Sequence, residues 1–248
     1  MDTIRVKCKE PPKQLGDCID MVLYCHMLSV VENKEVNLEI NSNSRIDYFN
    51  SLISIGGKVS VNNSNKGVYT LEYRSGLDGA SQYLLISTQV DNIKTSVIPE
   101  NCIVRIPKKF VTVQWDAAQK YRLLDKERII TIEQFYKDQG YDIVDIGHKL
   151  YSLQATSYIL SQADYHVGVD SGMAHIAKLI LPMDRLHLYV NTRNRENDKR
   201  FPDSIDVAWM AREMFRRGAK MNFCENPSQE QIDYFKDSSI WLGLVSSI

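Results

Sequence analysis

Apolar positions along the chain follow two rhythms. Ile4 to Lys7 alternates as a strand does. After Pro11, Pro12 and the Gly16-Asp17 pair, Ile19, Val22, Leu23, Met27, Val30 and Val31 fall at helical spacing. Val36 to Ile40 alternates again, and Ile46 to Ile53 reads as a short helix. Val59 to Val61, Val68 to Tyr73 and Tyr83 to Ser87 read as short strands broken by Asn and Gly turns, so the first lobe is expected to be small and β-rich. Beyond Pro99 and Pro107 the pattern becomes regular. Strands are expected at Phe110 to Gln114, Asp142 to Ile146, Tyr165 to Val169, Leu186 to Val190 and Lys220 to Phe223. Helices are expected at Ile132 to Gln139, Ser152 to Gln162, Ser171 to Ile180, Ile205 to Phe215 and Ser228 to Lys236. Strict alternation of this kind signals a parallel sheet covered on both faces, and such sheets bind ligands at the carboxyl ends of their strands. The lobe boundary falls between Cys102 and Lys109, dividing the chain into residues 1–106 and 107–248.

Composition narrows the class. With 248 residues, 44% of them hydrophobic, the chain can bury a substantial core. It contains no run of about 18 apolar residues, and its charged amino terminus has no apolar stretch behind it, so neither a membrane span nor a signal peptide is expected. The expected location is the cytoplasm. The five cysteines, Cys8, Cys18, Cys25, Cys102 and Cys224, are scattered, without a Cys-x-x-Cys pair or zinc-ligand spacing, and read as reduced and structural. A net charge of -1 provides no global drive toward nucleic acid or membranes. Two basic clusters stand out locally, Arg185 to Arg200 and Arg212 to Lys220. Neighbouring Glu196, Asp198, Asp203 and Glu213 balance them, so a solvated face and a phosphate-binding face both remain open.

The most informative stretch is YHVGVDSGMAHIAK, Tyr165 to Lys178. A β-branched run ends in Asp170-Ser171-Gly172 and a helix begins at once. A helix amino terminus presents unpaired N–H groups and partial positive charge, which suits a pyrophosphate. Ser171 can cap the helix and donate a hydroxyl, and His175, one turn in, lies on the face that reaches a phosphate oxygen. Spacing alone equally allows a plain helix cap and a buried structural histidine.

The string VGVDSGMAHIAK resembles the Asp-Ser/Thr-Gly-x-x-His-x-Ala signature of the ADP-heptose:lipopolysaccharide heptosyltransferases, glycosyltransferase family 9. That resemblance implies an α/β, GT-B-like fold of two Rossmann-like lobes, the first shortened, with the active site between them. It also implies that Asp170, Ser171, Gly172 and His175 grip the diphosphate of a nucleotide sugar. LGDCIDMVLYCHML, Leu15 to Leu28, resembles the family's Gly-Asp segment, which puts Gly16 and the catalytic base Asp17 at the start of the first helix. VTVQWDAAQKYR, Val111 to Arg122, resembles the strand-loop segment that neutralises the donor phosphates. Lys120 is then a diphosphate-binding residue and Arg122 a second one, with Gln114 where the family more often carries a charge.

The implied reaction is an inverting, metal-independent transfer from a nucleotide-diphosphate sugar to a hydroxyl, with no cofactor and the nucleotide sugar as co-substrate. Asp142 with Asp145, and Asp203 with Asp206, read as solvated rather than chelating. With a first lobe this short, the acceptor is either a glycan or a modified DNA base. Two further readings stay open: a GT-B epimerase and a non-catalytic nucleotide-sugar-binding protein. His148, after Gly147 at a strand end, is a secondary donor-site candidate. Trp115, Trp209 and Trp241 are candidates for base stacking, although burial is the commoner role of such residues.

Overall fold

The computed structural model describes residues 3–8, 12, 14–40, 44–53, 55–61, 69–73, 86, 105–118, 120–147, 150–190 and 219–223. They fall into two compact units, one within Met1–Ser96 and the other within Val97–Ser238. Among the described residues no helix is long and apolar enough to cross a membrane.

The first unit runs β1 (Thr3–Cys8), α1 (Leu15–Glu32), β2 (Glu35–Glu39), α2 (Ser44–Leu52), β3 (Val59–Val61), β4 (Tyr69–Tyr73). Its strands form a parallel sheet in the order β3-β2-β1-β4, with Val6 in register with Leu38 on one side and Leu71 on the other. Helix α1 is buried almost all round, from Cys18 through Ser29, which is why its apolar residues are not confined to one stripe. It ends at Asn33, whose left-handed backbone (φ 50°, ψ 43°) turns its N–H back to the last carbonyls. The Ser29 hydroxyl then accepts from the Lys58 N–H at 2.8 Å, tying the helix end to the approach of β3. Among its described residues the unit holds more helix than strand, against the β-rich expectation, and Ile86, expected in a strand, is helical and buried. The rest of the Tyr83 to Ser87 segment lies outside the described residues.

The second unit runs β5 (Phe110–Gln114), α3 (Lys126–Asp138), β6 (Asp142–Asp145), α4 (Leu153–Gln162), β7 (Tyr165–Val169), α5 (Gly172–Ile180), β8 (Leu186–Val190), β9 (Lys220–Phe223). All its strands are parallel, in the order β6-β5-β7-β8-β9. Every residue of β5 is buried, as expected of a central strand covered on both faces. On one face Val111, Val113, Val167 and Val169 pack with Ile132 and Tyr136 of α3. Pleating turns Phe110, Thr112, Gln114 and His166 to the opposite face. Helix α3 starts six residues before the expected Ile132: Lys126, Glu127 and Arg128 carry no apolar signal, although Ile129, which packs against the core, already belongs to the helix. The real start signal is Asp125, whose carboxylate accepts from the Arg128 N–H at 2.8 Å. Ser152 caps α4 in the same way, accepting from the Ala155 N–H at 3.1 Å. The helices expected at Ile205 to Phe215 and Ser228 to Lys236 lie outside the described residues, with His148, Trp209, Trp241 and the basic residues from Arg193 to Arg217.

Because β6 pairs on one side of β5 and β7 on the other, the connections leaving β5 and β7 diverge. That divergence marks their carboxyl ends as the switch point at which doubly wound sheets bind ligands.

Candidate functional site at the β5–β7 switch point

Gln114 ends β5 and pairs in register with Gly168 of β7. A Cβ at Gly168 would lie 2.7 Å from the Gln114 carbonyl oxygen, so a glycine is needed for the strands to run this close. One residue beyond β7 the chain reaches Asp170, then Ser171, then helix α5.

Ser171 is the N-cap residue of α5, with extended backbone (φ −153°, ψ 173°), yet its side chain makes no capping hydrogen bond. The expected Ser171 cap is therefore absent. The hydroxyl donates instead to Gln114 Oε1, while Gln114 Nε2 donates to the Asp116 carbonyl. The first backbone bond of the helix runs from the His175 N–H to the Ser171 carbonyl at 3.3 Å. The N–H groups of Gly172, Met173 and Ala174 precede that bond and have no partner within the helix. His175 itself is buried one turn in.

Arg122 closes a 3-10 turn, Lys120–Arg122, in the loop after β5. Its Nη1 donates to the Asp170 carbonyl at 3.2 Å, and its Nε stands 3.7 Å from Asp170 Oδ2. The fold thus joins Arg122 to the Asp-Ser-Gly turn, whereas Lys120 stands exposed in the same 3-10 turn. Asp170 is buried beside this guanidinium. The structure thus pairs the expected diphosphate-binding Asp170 with Arg122.

In the first unit Asp17 is half-buried in the first turn of α1, and Gly16 is buried beside it. The N-cap of that helix is Gln14, again without a side-chain capping bond. Asp17 is therefore not the cap; it lies inside the first turn, where the helix dipole favours an anion.

The candidate Trp115 and two further residues of the sheet, His166 and His187, are structural. The Trp115 indole donates to Glu133 at 2.9 Å and its ring meets Tyr189 edge-on, so it is committed to packing. His166 is fully buried with Nδ1 3.0 Å from Thr112 Oγ1; burial first, then the neighbouring His187, lowers its pKa to about 3. His187 bonds the Tyr136 hydroxyl, and burial followed by Lys220 lowers it to about 4. Among the described residues no three His, Cys, Asp or Glu side chains gather as a metal site. Gln114 is the residue whose partner sequence reasoning missed. The available signal was a long polar side chain ending FVTVQ, a strand otherwise bearing only apolar groups and Thr.

No family model matches the chain, and no curated protein does. Solved structures do. The iron-containing dodecameric glycosyltransferase TibC of enterotoxigenic E. coli H10407 aligns with TM-score 0.53 and 15% identity, over 75% of this chain and 57% of that one. Heptosyltransferase TibC in complex with ADP-D-β-D-heptose aligns with TM-score 0.54 and 13% identity over the same shares, so the alignment spans less than two thirds of TibC. A glycosyl transferase family 9 protein from Veillonella parvula DSM 2008 aligns with TM-score 0.55 and 9% identity, over 98% of both chains. The likeness to family 9 read from VGVDSGMAHIAK thus extends to the fold: the chain is built as the heptosyltransferase TibC and a family 9 glycosyltransferase are built.

Proposed function

We propose that this protein is a glycosyltransferase that takes a sugar from a nucleoside-diphosphate sugar and transfers it, with inversion, to a hydroxyl acceptor. The observation that carries the reading is the uncapped amino terminus of α5, which emerges at the β5–β7 switch point beside the Arg122 guanidinium. Unpaired N–H groups and a fixed cation at the carboxyl end of a parallel sheet make a diphosphate site. ADP-heptose bound to TibC, a protein of the same fold, supports a nucleotide sugar as the occupant.

In this reading residues 107–248 hold the donor and residues 1–106 serve the acceptor. Asp17 takes the proton of the acceptor hydroxyl as its oxygen attacks the anomeric carbon. The bond from that carbon to the diphosphate oxygen breaks, and the nucleoside diphosphate leaves with the electron pair. Its developing charge is met by the α5 N–H groups, His175, Arg122 and Lys120, donors and cations that fulfil the role a metal would otherwise take. The acceptor is a glycan or a hydroxymethylated DNA base, and the reaction belongs to the cytoplasm.

Calorimetry with ADP, UDP and GDP and their sugars, followed by product analysis with glycan and hydroxymethylated DNA acceptors, tests the proposal. Nucleotide binding with a new glycoside is the expected result. Binding without transfer would make the chain a nucleotide-sugar-binding protein, a changed sugar without acceptor would make it an epimerase, and no binding of any nucleotide would remove the diphosphate site.

A further inference from the structure

We infer that Gln114 is a positioning residue: it holds the Ser171 hydroxyl away from the end of α5 and so keeps that helix terminus open for a diphosphate. The inference rests on the donor-site reading above and assigns Gln114 a role through Ser171 rather than a contact with phosphate.

The chemistry of the Gln114 amide leaves little freedom. Its Nε2 points at the Asp116 carbonyl, which is an acceptor only, so the nitrogen must be the atom facing it. The amide oxygen is then the atom left for Ser171, and a hydroxyl facing an amide oxygen must donate. The Ser171 oxygen is thereby held against β5 and makes no bond to a helix N–H, and its one proton is left for no anion.

A serine at this position ordinarily turns its oxygen to the N–H of the second or third helical residue, here Met173 or Ala174, and satisfies one of the orphan donors. The extended backbone of Ser171 is compatible with that cap, yet the cap is not made. The competing acceptor is buried, at 2% exposure, and the strand that carries it is fixed by the close pass at Gly168. Neither Gln114 nor its strand can easily withdraw, so the helix terminus is left uncapped before any ligand arrives. A diphosphate then meets N–H groups without having to displace a side chain, a case of preorganisation.

A double-mutant cycle tests the device. Binding of inorganic pyrophosphate and of ADP is measured by calorimetry for the parent, Gln114→Met, Ser171→Ala and the double variant, with melting temperatures to confirm folding. Gln114→Met keeps the volume and removes the acceptor. It is expected to weaken pyrophosphate binding about 3- to 10-fold alone and to add no further loss once Ser171 is Ala. Equal losses in both backgrounds would mean that Gln114 contacts the anion itself and would overturn the inference. Amide hydrogen exchange of the ligand-free proteins provides a second readout that a packing defect would not produce. The Met173 or Ala174 amide is expected to exchange more slowly in Gln114→Met than in the parent, and not in the double variant; unchanged or faster exchange overturns the device. A parent that binds neither probe defeats the donor-site reading instead, while the exchange experiment still decides whether Gln114 restrains Ser171.

Discussion

Arg122 and Lys120 are two residues apart in one turn, yet they occupy different electrostatic settings. Arg122 is half-buried against Asp170, where a charge-assisted hydrogen bond to an anion is worth about 1.5–3 kcal/mol. Lys120 is exposed, where solvent screens most of its attraction. Arg122→Ala is therefore expected to weaken nucleoside diphosphate binding about tenfold to a hundredfold, and Lys120→Ala distinctly less, by calorimetry at the same ionic strength. A larger loss from Lys120 would reverse the two roles. His175→Ala is expected to cost about 1–3 kcal/mol of the same affinity, whereas Ser171→Ala, whose hydroxyl proton is donated to Gln114, should change it little. Asp17 poses a different question, since it is neither the cap of α1 nor a solvent-bathed carboxylate. Asp17→Asn keeps the shape and hydrogen-bonding reach, so donor affinity and melting temperature should stay near the parent's. Transfer should fall by about a hundred- to ten-thousand-fold if it is the general base; a variant that transfers at the parental rate would remove Asp17 from the mechanism.

Among elements, the helices of the second unit differ in how they begin, and the difference separates stability from function. α3 and α4 carry working caps in Asp125 and Ser152, while α5 carries a serine that does not cap. Asp125→Ala and Ser152→Ala should each lower stability by about 1 kcal/mol, or about 2–4 °C in melting temperature for a chain of this size, without changing ligand affinity. Removing the Ser171 side chain loses no cap but strands the buried Gln114 amide oxygen, so it should lower stability by about 1–3 kcal/mol through that lost hydrogen bond. Strand β7 has its own constraint at Gly168. Alanine there would place a Cβ 2.7 Å from the Gln114 carbonyl oxygen, so β5 and β7 would have to separate at the site. The expected cost is about 1–3 kcal/mol of stability with a matching loss of diphosphate affinity; an affinity that survives would mean the strand spacing is not part of the site.

At the scale of the molecule, the second unit holds two histidines that are neutral when folded. The pKa of His166 is lowered to about 3 and that of His187 to about 4, whereas in the unfolded chain both titrate near their ordinary value. The unfolded state thus binds more protons, and the stability these sites contribute is complete above about pH 6.5 and lost as the pH falls toward 4. Each site adds a slope of up to about 1.4 kcal/mol per pH unit within that window. Urea midpoints from pH 7 to 4 should decline accordingly, and His166→Gln, which keeps polarity without a titrating ring, should decline less steeply; an unchanged slope would place the acid loss elsewhere. The histidines illustrate a wider division. Periodicity located nearly every described strand and helix, since alternation and helical spacing are local properties of residues a few positions apart. It also located the Asp170-Ser171-Gly172 turn, because a strand running straight into a helix makes an anion site by backbone geometry alone. It missed the first turn of α3, whose opening charges carry no apolar signal, and left open whether Ser171 caps α5. Sheet order, the burial of His166 and His187, the union of Arg122 with Asp170 and the capture of Ser171 by Gln114 join residues up to 65 positions apart, as Ile4 and Tyr69 are in the first sheet. No local pattern encodes such contacts, because which strand lies beside β5 is decided by how whole faces bury their apolar surface. Local chemistry thus determined that a strand-to-helix turn with an open helix terminus exists, and tertiary packing alone decided which side chains stand around it.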